Sequence, residues 1–190
     1  MRPGDRVAVE DPAYAGVLDL VRALGLVPVP VTIDADGPLP DALERVLGAG
    51  VTALVVTPRA QNPSSAAITP ARAADLRRCL AARPEALVIE DDHAGAVAGS
   101  PAVTVTTGRE RFAVVRSFAK ALGPDLRVAV LAGDDLTVAR VRGHQRVGPG
   151  WVSHLLQRLA LHLWESAEHD GTLQRATATY AARRRPWSAR

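Results

Sequence analysis

The chain has a single lysine. The other members of its 23 lysine and arginine residues are all arginine. It also has one cysteine, one methionine and few aromatic residues, 4% of the total. A lone cysteine, Cys79, excludes an intramolecular disulfide, and its apolar helical surroundings make it a core residue rather than a nucleophile. With aromatics scarce, Ala, Val and Leu must fill the core. No apolar run reaches the roughly 20 residues of a membrane span, and no signal peptide opens the chain, so the cytoplasm is the default location. Internal repeats, long low-complexity tracts, G-x-G-x-x-G and Walker sequences are all missing. The net charge is only +3, and the pI of 9.7 reflects the high pKa of arginine. That is weak support for a nucleic-acid partner.

What is present suits one folded domain. The 190 residues are 47% apolar and 23% charged, enough to bury a real core. Short β-branched runs alternate with helical patterns. Strands are predicted at 6–10, 28–33, 52–57, 86–91, 112–117 and 127–133. The first, third and fourth are nearly continuous apolar runs, as in strands buried on both faces of a parallel sheet. Helices are predicted over 13–24, over 41–48 with Asp41 and Glu44 as a capping box, and over 70–82 with Thr69 as N-cap before Pro70. The alternation implies an α/β fold, a mostly parallel sheet between helical layers. After Gly133 the strands stop. Trp151, Val152, Leu155, Leu156, Leu159, Ala160 and Leu163 form the apolar stripe of a long helix, and a further helix is expected over 171–185. The tail "RRRPWSAR" shows no pattern. Residues 1–133 thus read as a core and 134–190 as a helical extension.

In an open parallel sheet, ligands gather at the carboxyl ends of the strands. Tyr14 follows the first strand, Asn62 the third, Asp91, Asp92 and His93 the fourth, and Ser117 and Lys120 the fifth. Arg127 opens the sixth, after a turn with Gly123 and Pro124. The set includes an amine, a carboxylate, an amide, an imidazole and a guanidinium. A lysine amine condenses with carbonyls, and a guanidinium near a hydroxyl suits a phosphate. A carboxylate can hold a protonated ring nitrogen. Pyridoxal phosphate carries an aldehyde, a phosphate and a pyridine nitrogen, and an aromatic ring can stack on it. Asp92 reads as a solvated cap. His144, His154, His162 and His169 follow no metal-ligand spacing and are expected on helix surfaces.

Four motifs in order carry a resemblance. They are "DPAYAG", "TPRAQNPSS", "VIEDDHAG" and "SFAKALGPDLR". The chain resembles the large domain of the fold-type I pyridoxal-phosphate enzymes, the class I/II aminotransferases. Within them it is most similar to the aminotransferase-like domain of MocR-type regulators of the GntR family. The match covers most of residues 5 to 185 and implies a partial domain of a three-layer α/β sandwich. By position, the resemblance implies that Lys120 bonds the cofactor aldehyde and shuttles protons in a catalytic member. Asp91 pairs with the ring nitrogen, Asn62 and His93 face the phenolic oxygen, Ser117 and Arg127 bind the phosphate, and Tyr14 stacks on the ring. It also implies a homodimer, with DNA contacted only through a winged-helix domain absent from this chain. Two departures stand out. "NPSS" lacks the glycine of N-P-T-G, and Ala119 replaces a usual serine.

Rival motifs fail. The S-x-x-K of "SFAK" needs a K-T-G partner, which a one-lysine chain cannot supply. The run "EDDH" is poor for a metal, because successive strand residues point to opposite faces. The acidic pair of a phospho-receiver follows the first strand, whereas here it follows the fourth. Three functions stay open: a sensor of pyridoxal phosphate and an amino compound, an amino-acid aminotransferase, and a non-binding remnant.

Overall fold

The structure, a computed structural model, describes residues 1–169 and 171–188. Seven strands form one sheet: β1 Arg6–Asp11, β2 Val27–Asp34, β3 Gly37–Pro38, β4 Ala53–Val56, β5 Leu87–Asp92, β6 Phe112–Ser117 and β7 Ala129–Gly133. Their order is β3-β2-β1-β4-β5-β6-β7. The β2, β1, β4, β5 and β6 strands run parallel, while β3 and β7 are antiparallel at the two edges. All six predicted strands are present within two residues of the expected ends. The two-residue β3 was unpredicted, being too short for any period to show.

The helices are α1 Ala15–Ala23, α2 Pro40–Gly48, α3 Pro70–Ala81, α4 Ala119–Leu122, α5 Asp135–Val147, α6 His154–His169 and α7 Thr172–Ser188. Thr69 caps α3 as expected, its Oγ1 accepting from the Arg72 amide at 3.2 Å. The capping box of α2 does not form. Leu39 is the N-cap, without a side-chain bond, and Asp41 lies inside the first turn. Pro40 explains the shift: its fixed φ and missing N–H suit the first helical position and start the helix early. Helix α5 was not expected. Asp134 nucleates it, accepting from the Thr137 amide at 2.9 Å and the Thr137 hydroxyl at 2.6 Å. The same carboxylate accepts from the Phe112 amide at 3.0 Å, tying α5 to the sheet. These bonds, those of Thr137 foremost, hold its pKa down at about 2. The tail is helical to Ser188, and Ala189 and Arg190 lie outside the described residues.

Alternation along the strands sorts the core. One face carries Ala8, Leu54, Val56 and Val88 against Leu43 and Leu47 of α2 and Leu76 and Leu80 of α3. Cys79 is buried in this cluster. The other face carries Val7, Val9 and Ala53 against Val17 and Val21 of α1. A third cluster seats α6. Leu126 and Val128 pack on Ala160, with Phe118, Leu122, Val152, Leu156 and Leu163 around them. The stripe predicted for α6 is thus only partly internal. Trp151 and Val152 precede the helix, and Leu155 and Leu159 face outward. No helix among the described residues is long and apolar enough to cross a membrane.

Candidate functional site

Parallel pairing brings the ends of β1, β4, β5 and β6 to one edge of the molecule. Strand β7 runs the other way, with Ser117 opposite Ala129, so its start lies beside the end of β6. Arg127 therefore reaches the same rim, although it precedes its strand. Six of the seven candidates stand on loops or strand ends along this rim, and Lys120 stands on the short helix α4 that follows β6. Two cis peptide bonds, Asp11–Pro12 and Asn62–Pro63, lie in its loops.

Tyr14 is the N-cap of α1 and is half exposed. Its ring lies back over Gly16, where a Cβ would stand 2.6 Å from the ring's Cε1. The glycine of "DPAYAG" thus makes room for that ring. Asn62 is exposed on the loop after β4. Ser117 ends β6, and its Oγ accepts from the Ala119 amide at 3.2 Å, starting the short helix α4. Phe118 anchors that helix by an edge-to-face contact with Trp164 of α6, centroids 5.7 Å apart. Lys120 lies on α4, exposed. Neither Lys120 nor Arg127 makes a hydrogen bond or ion pair among the described residues. Lys120 borders a cavity of about 880 Å³, together with Pro12, Ala60, Ser64, Tyr180 and Arg183 among others. It is the one candidate that lines this cavity.

Asp91 and Asp92 divide the work of β5. Alternation puts Asp91 on the α1 side and Asp92 on the α2/α3 side. Asp91 is half-buried. Burial raises its pKa, the charge of Asp92 adds to this, and His93 opposes it. Asp91 and His93 are therefore electrostatic neighbours. Asp92 was expected to be a solvated cap, and the structure corrects this: it is 3% exposed. Arg59 donates to it twice, at 2.7 and 2.8 Å, and Arg116 donates at 2.8 Å. Burial opposes its ionisation, but the bonds and charges of the two arginines outweigh that and hold its pKa below the usual value.

Further residues shape the rim without having been foreseen. Glu10, 5% exposed, accepts from the Thr57 amide at 3.0 Å and from the Gln61 side chain at 3.3 Å. Burial pushes its pKa up to about 7 against those bonds, and the charge of Asp91 adds to the push. Gln61 also donates to the Pro12 carbonyl at 2.8 Å, and its own oxygen accepts from the Ser64 amide at 3.0 Å and the Ser64 hydroxyl. Glu90 holds the 104–106 loop, accepting from the Val105 amide at 2.6 Å and from Thr104. A glutamate inside the apolar run "VAVE" was a visible signal of a buried polar contact. Tyr180 and Arg183 gave no signal, because no pattern shows which way a terminal helix folds back.

The donor set fits a pyridoxal phosphate group by its chemistry. An uncommitted amine borders a cavity, a half-buried carboxylate stands on a central strand end, and an uncommitted guanidinium and a hydroxyl flank the same rim.

The family model for aminotransferase class I and II matches residues 1–186. The vitamin B6 salvage pathway transcriptional repressor PtsJ of Salmonella typhimurium is 41% identical over 184 residues, covering 95% of this chain and 42% of the repressor. The HTH-type transcriptional regulator TauR of Rhodobacter capsulatus is 31% identical, covering 96% of this chain and 37% of its own. The mitochondrial kynurenine/alpha-aminoadipate aminotransferase of Bos taurus is 27% identical, over 97% of this chain and 48% of its own. This chain therefore spans half or less of the length of these relatives. Among solved structures, LysN, the alpha-aminoadipate aminotransferase of Thermus thermophilus, superposes with a TM-score of 0.84 at 23% identity. It covers 96% of this chain and 48% of that one. Motif order, sheet topology and family match agree: the chain belongs to the class I and II aminotransferase family, whose cofactor is pyridoxal phosphate.

Proposed function

We propose that this chain is the pyridoxal-phosphate-binding, effector-sensing part of a MocR-type regulator of the GntR family. The observation that carries the reading is the place of Lys120. It is the sequence's one lysine, and it borders the large cavity at the carboxyl ends of the sheet. The 41% identity with a vitamin B6 repressor favours a regulator over an enzyme.

When bound, the cofactor supplies an aldehyde for an amine and a ring that withdraws electrons. Lys120 would hold the aldehyde carbon. Arginine could not take that role, since its guanidinium stays protonated at working pH. Asp91 would keep a proton on the ring nitrogen, a charge partner that offsets its burial. Asn62 and His93 would face the phenolic oxygen, Ser117 and Arg127 the phosphate, and Tyr14 would cover the ring. In the regulator, residues 1–133 are the cofactor-binding core and 134–190 the helical extension. The whole protein pairs as a cytoplasmic homodimer and reaches DNA through a winged-helix domain.

The test is to mix the chain with pyridoxal phosphate, reduce with borohydride and map the modified peptide. Label on Lys120 is expected. An unlabelled Lys120 at a large cofactor excess overturns the reading. The second reading, an amino-acid aminotransferase, is favoured by the likeness to the bovine enzyme over 97% of this chain. Lys120 would then move the α-proton of the substrate. Keto-acid production from an amino-acid panel decides for it, and its absence from a labelled chain decides for the sensor.

A further inference from the structure

Strands β6 and β7 carry an open strip on the sheet face that Asp92 occupies. The 104–106 segment is bound to β5 on one side of it, and α6 packs on the start of β7 on the other. Between them Val114, Arg116 and Val130 share a face, with Arg116 opposite Val130 across the two strands. They are left open: Val130 is 50% exposed and the Arg116 side chain 53%. Two cavities meet here. One, of about 500 Å³, is bordered by Glu90, Thr104, Val114 and Ala132 among others. The second, of about 590 Å³, is bordered by Phe118, Val128, Leu161 and Trp164 among others. Arg59, Arg116 and Val130 border both, and neither cavity shares a lining residue with that of Lys120. Their size is that of small-molecule sites, which run from about 300 to 1,000 Å³.

The charges at the junction do not balance. Arg59 alone matches Asp92, one fork to one carboxylate, and gives its remaining nitrogen to the Ser100 carbonyl at 3.2 Å. Arg116 adds a second guanidinium to a carboxylate already paired. It donates through Nε alone, at 2.8 Å, and its two terminal nitrogens make no hydrogen bond among the described residues. Glu90, the other acid on the wall, is turned to the 104–106 segment. It accepts from the Val105 amide at 2.6 Å and from Thr104 at 2.9 Å, and burial raises its pKa. Arg59, Arg116 and Asp92 together thus carry one unmatched positive charge, offered at the open end of Arg116. A carboxylate fits that end by charge and by planarity. The second cavity beside it is apolar, with Phe118 and Trp164 in edge-to-face contact at 5.7 Å.

We propose that Arg116 and the apolar bed of Phe118, Val130, Leu161 and Trp164 form a second ligand site. Its ligand is an organic acid with one carboxylate and an apolar body. The site stands apart from the Lys120 cavity, and the proposal does not depend on the cofactor reading.

Calorimetric titration of the chain with octanoate, and with 1-octanol as its uncharged match, tests this. Octanoate should bind, and octanol should bind about tenfold or more weakly. Arg116→Gln should weaken octanoate by about tenfold or more and leave octanol within about twofold. Asp92 keeps Arg59 in that variant. Leu161→Trp probes the bed without touching the charges. Leu161 is 59% exposed, so the fold should accept the larger ring, which should fill the cavity and weaken both compounds. Lys120→Ala should leave octanoate affinity within about twofold. Absence of octanoate binding overturns the proposal, as does equal affinity for octanol. Octanoate affinity unchanged in Leu161→Trp, or in a folded Arg116→Gln chain, overturns it too. A loss of octanoate binding in Lys120→Ala would move the acid to the Lys120 cavity and overturn it as well.

Discussion

Arg59 holds Asp92 by two parallel bonds, Nε to Oδ1 at 2.7 Å and Nη2 to Oδ2 at 2.8 Å. The pair links the loop after β4 to the end of β5. Arg116 of β6 binds the same carboxylate at 2.8 Å, so one buried charge fastens three strand ends. Asn62, Asp91 and Ser117 each sit within three residues of a member of this cluster. Strand alternation turns Asp91 and Ser117 to the opposite face from their neighbours Asp92 and Arg116 in this cluster.

Asp92→Asn should destabilise the chain strongly, because Arg59 is left buried with no counter-charge. Removing one partner of a buried pair typically costs about 3–5 kcal/mol. Urea unfolding at neutral pH measures it. Asp92 is held below its usual value of 3.8, so its contribution is present above that pH and is lost on further acidification. The wild-type advantage over the variant should shrink as pH falls below about 4.

Asp91→Asn should behave in the opposite way. Folding raises the pKa of Asp91, through burial first. A group so shifted costs stability once it ionises in the fold. The cofactor-free variant should therefore melt at a higher temperature than wild type near neutral pH. The difference should close as pH falls towards the ordinary carboxylate value of 3.8. The same variant should bind pyridoxal phosphate more weakly. Thermal melts across pH, paired with a binding titration, check both signs. A destabilised Asp91→Asn chain at pH 7 would argue that Asp91 holds the fold rather than a cation.

These two neighbours show what a sequence can and cannot disclose. The strands were readable because continuous apolar runs such as "VAV" and "LVI" have few other uses. The place of the seven candidates at the sheet rim was readable because their motifs lie beside predicted strand ends. The role of Asp92 was hidden, since its partners lie 33 and 24 residues away and only packing brings them together. Helix α5 was hidden because "DDLTVARVRGHQRV" has a weak apolar stripe, and its start depends on a cap bond. The return of α7 over the cavity follows from a close approach at Gly99, which no periodicity encodes.

Gln61→Leu should loosen two loops at once. The amide binds Pro12 and Glu10 on one side and Ser64 on the other. Leucine keeps the volume and leaves the exposed Pro12 carbonyl, the buried Glu10 carboxyl and the Ser64 amide each short of a partner, the buried group at a cost of about 1–3 kcal/mol. Hydrogen–deuterium exchange should rise in residues 11–18 as well as in 58–66. A rise confined to 58–66 would mean that Gln61 serves its own loop alone. Cofactor affinity should fall with it, since Tyr14 and Asn62 ride on the two loops.

Glu10→Gln tests the other end of that link through pH. Folding raises the pKa of Glu10 from 4.5 to about 7, with burial as the main cause. Between those values the folded chain keeps a proton that the unfolded chain has released. The stability that this proton confers is full below 4.5 and is lost as pH rises through about 7. Glutamine has no proton to lose. Wild type should therefore lose stability relative to Glu10→Gln as pH rises from 5 to 8, and the difference should level off above that. A cation placed on Asp91 should reduce the effect, because the charge of Asp91 is part of what opposes the ionisation of Glu10. Adding pyridoxal phosphate during the same pH series should accordingly flatten the wild-type curve more than that of the variant. Parallel curves with and without cofactor would show that Glu10 and Asp91 titrate independently.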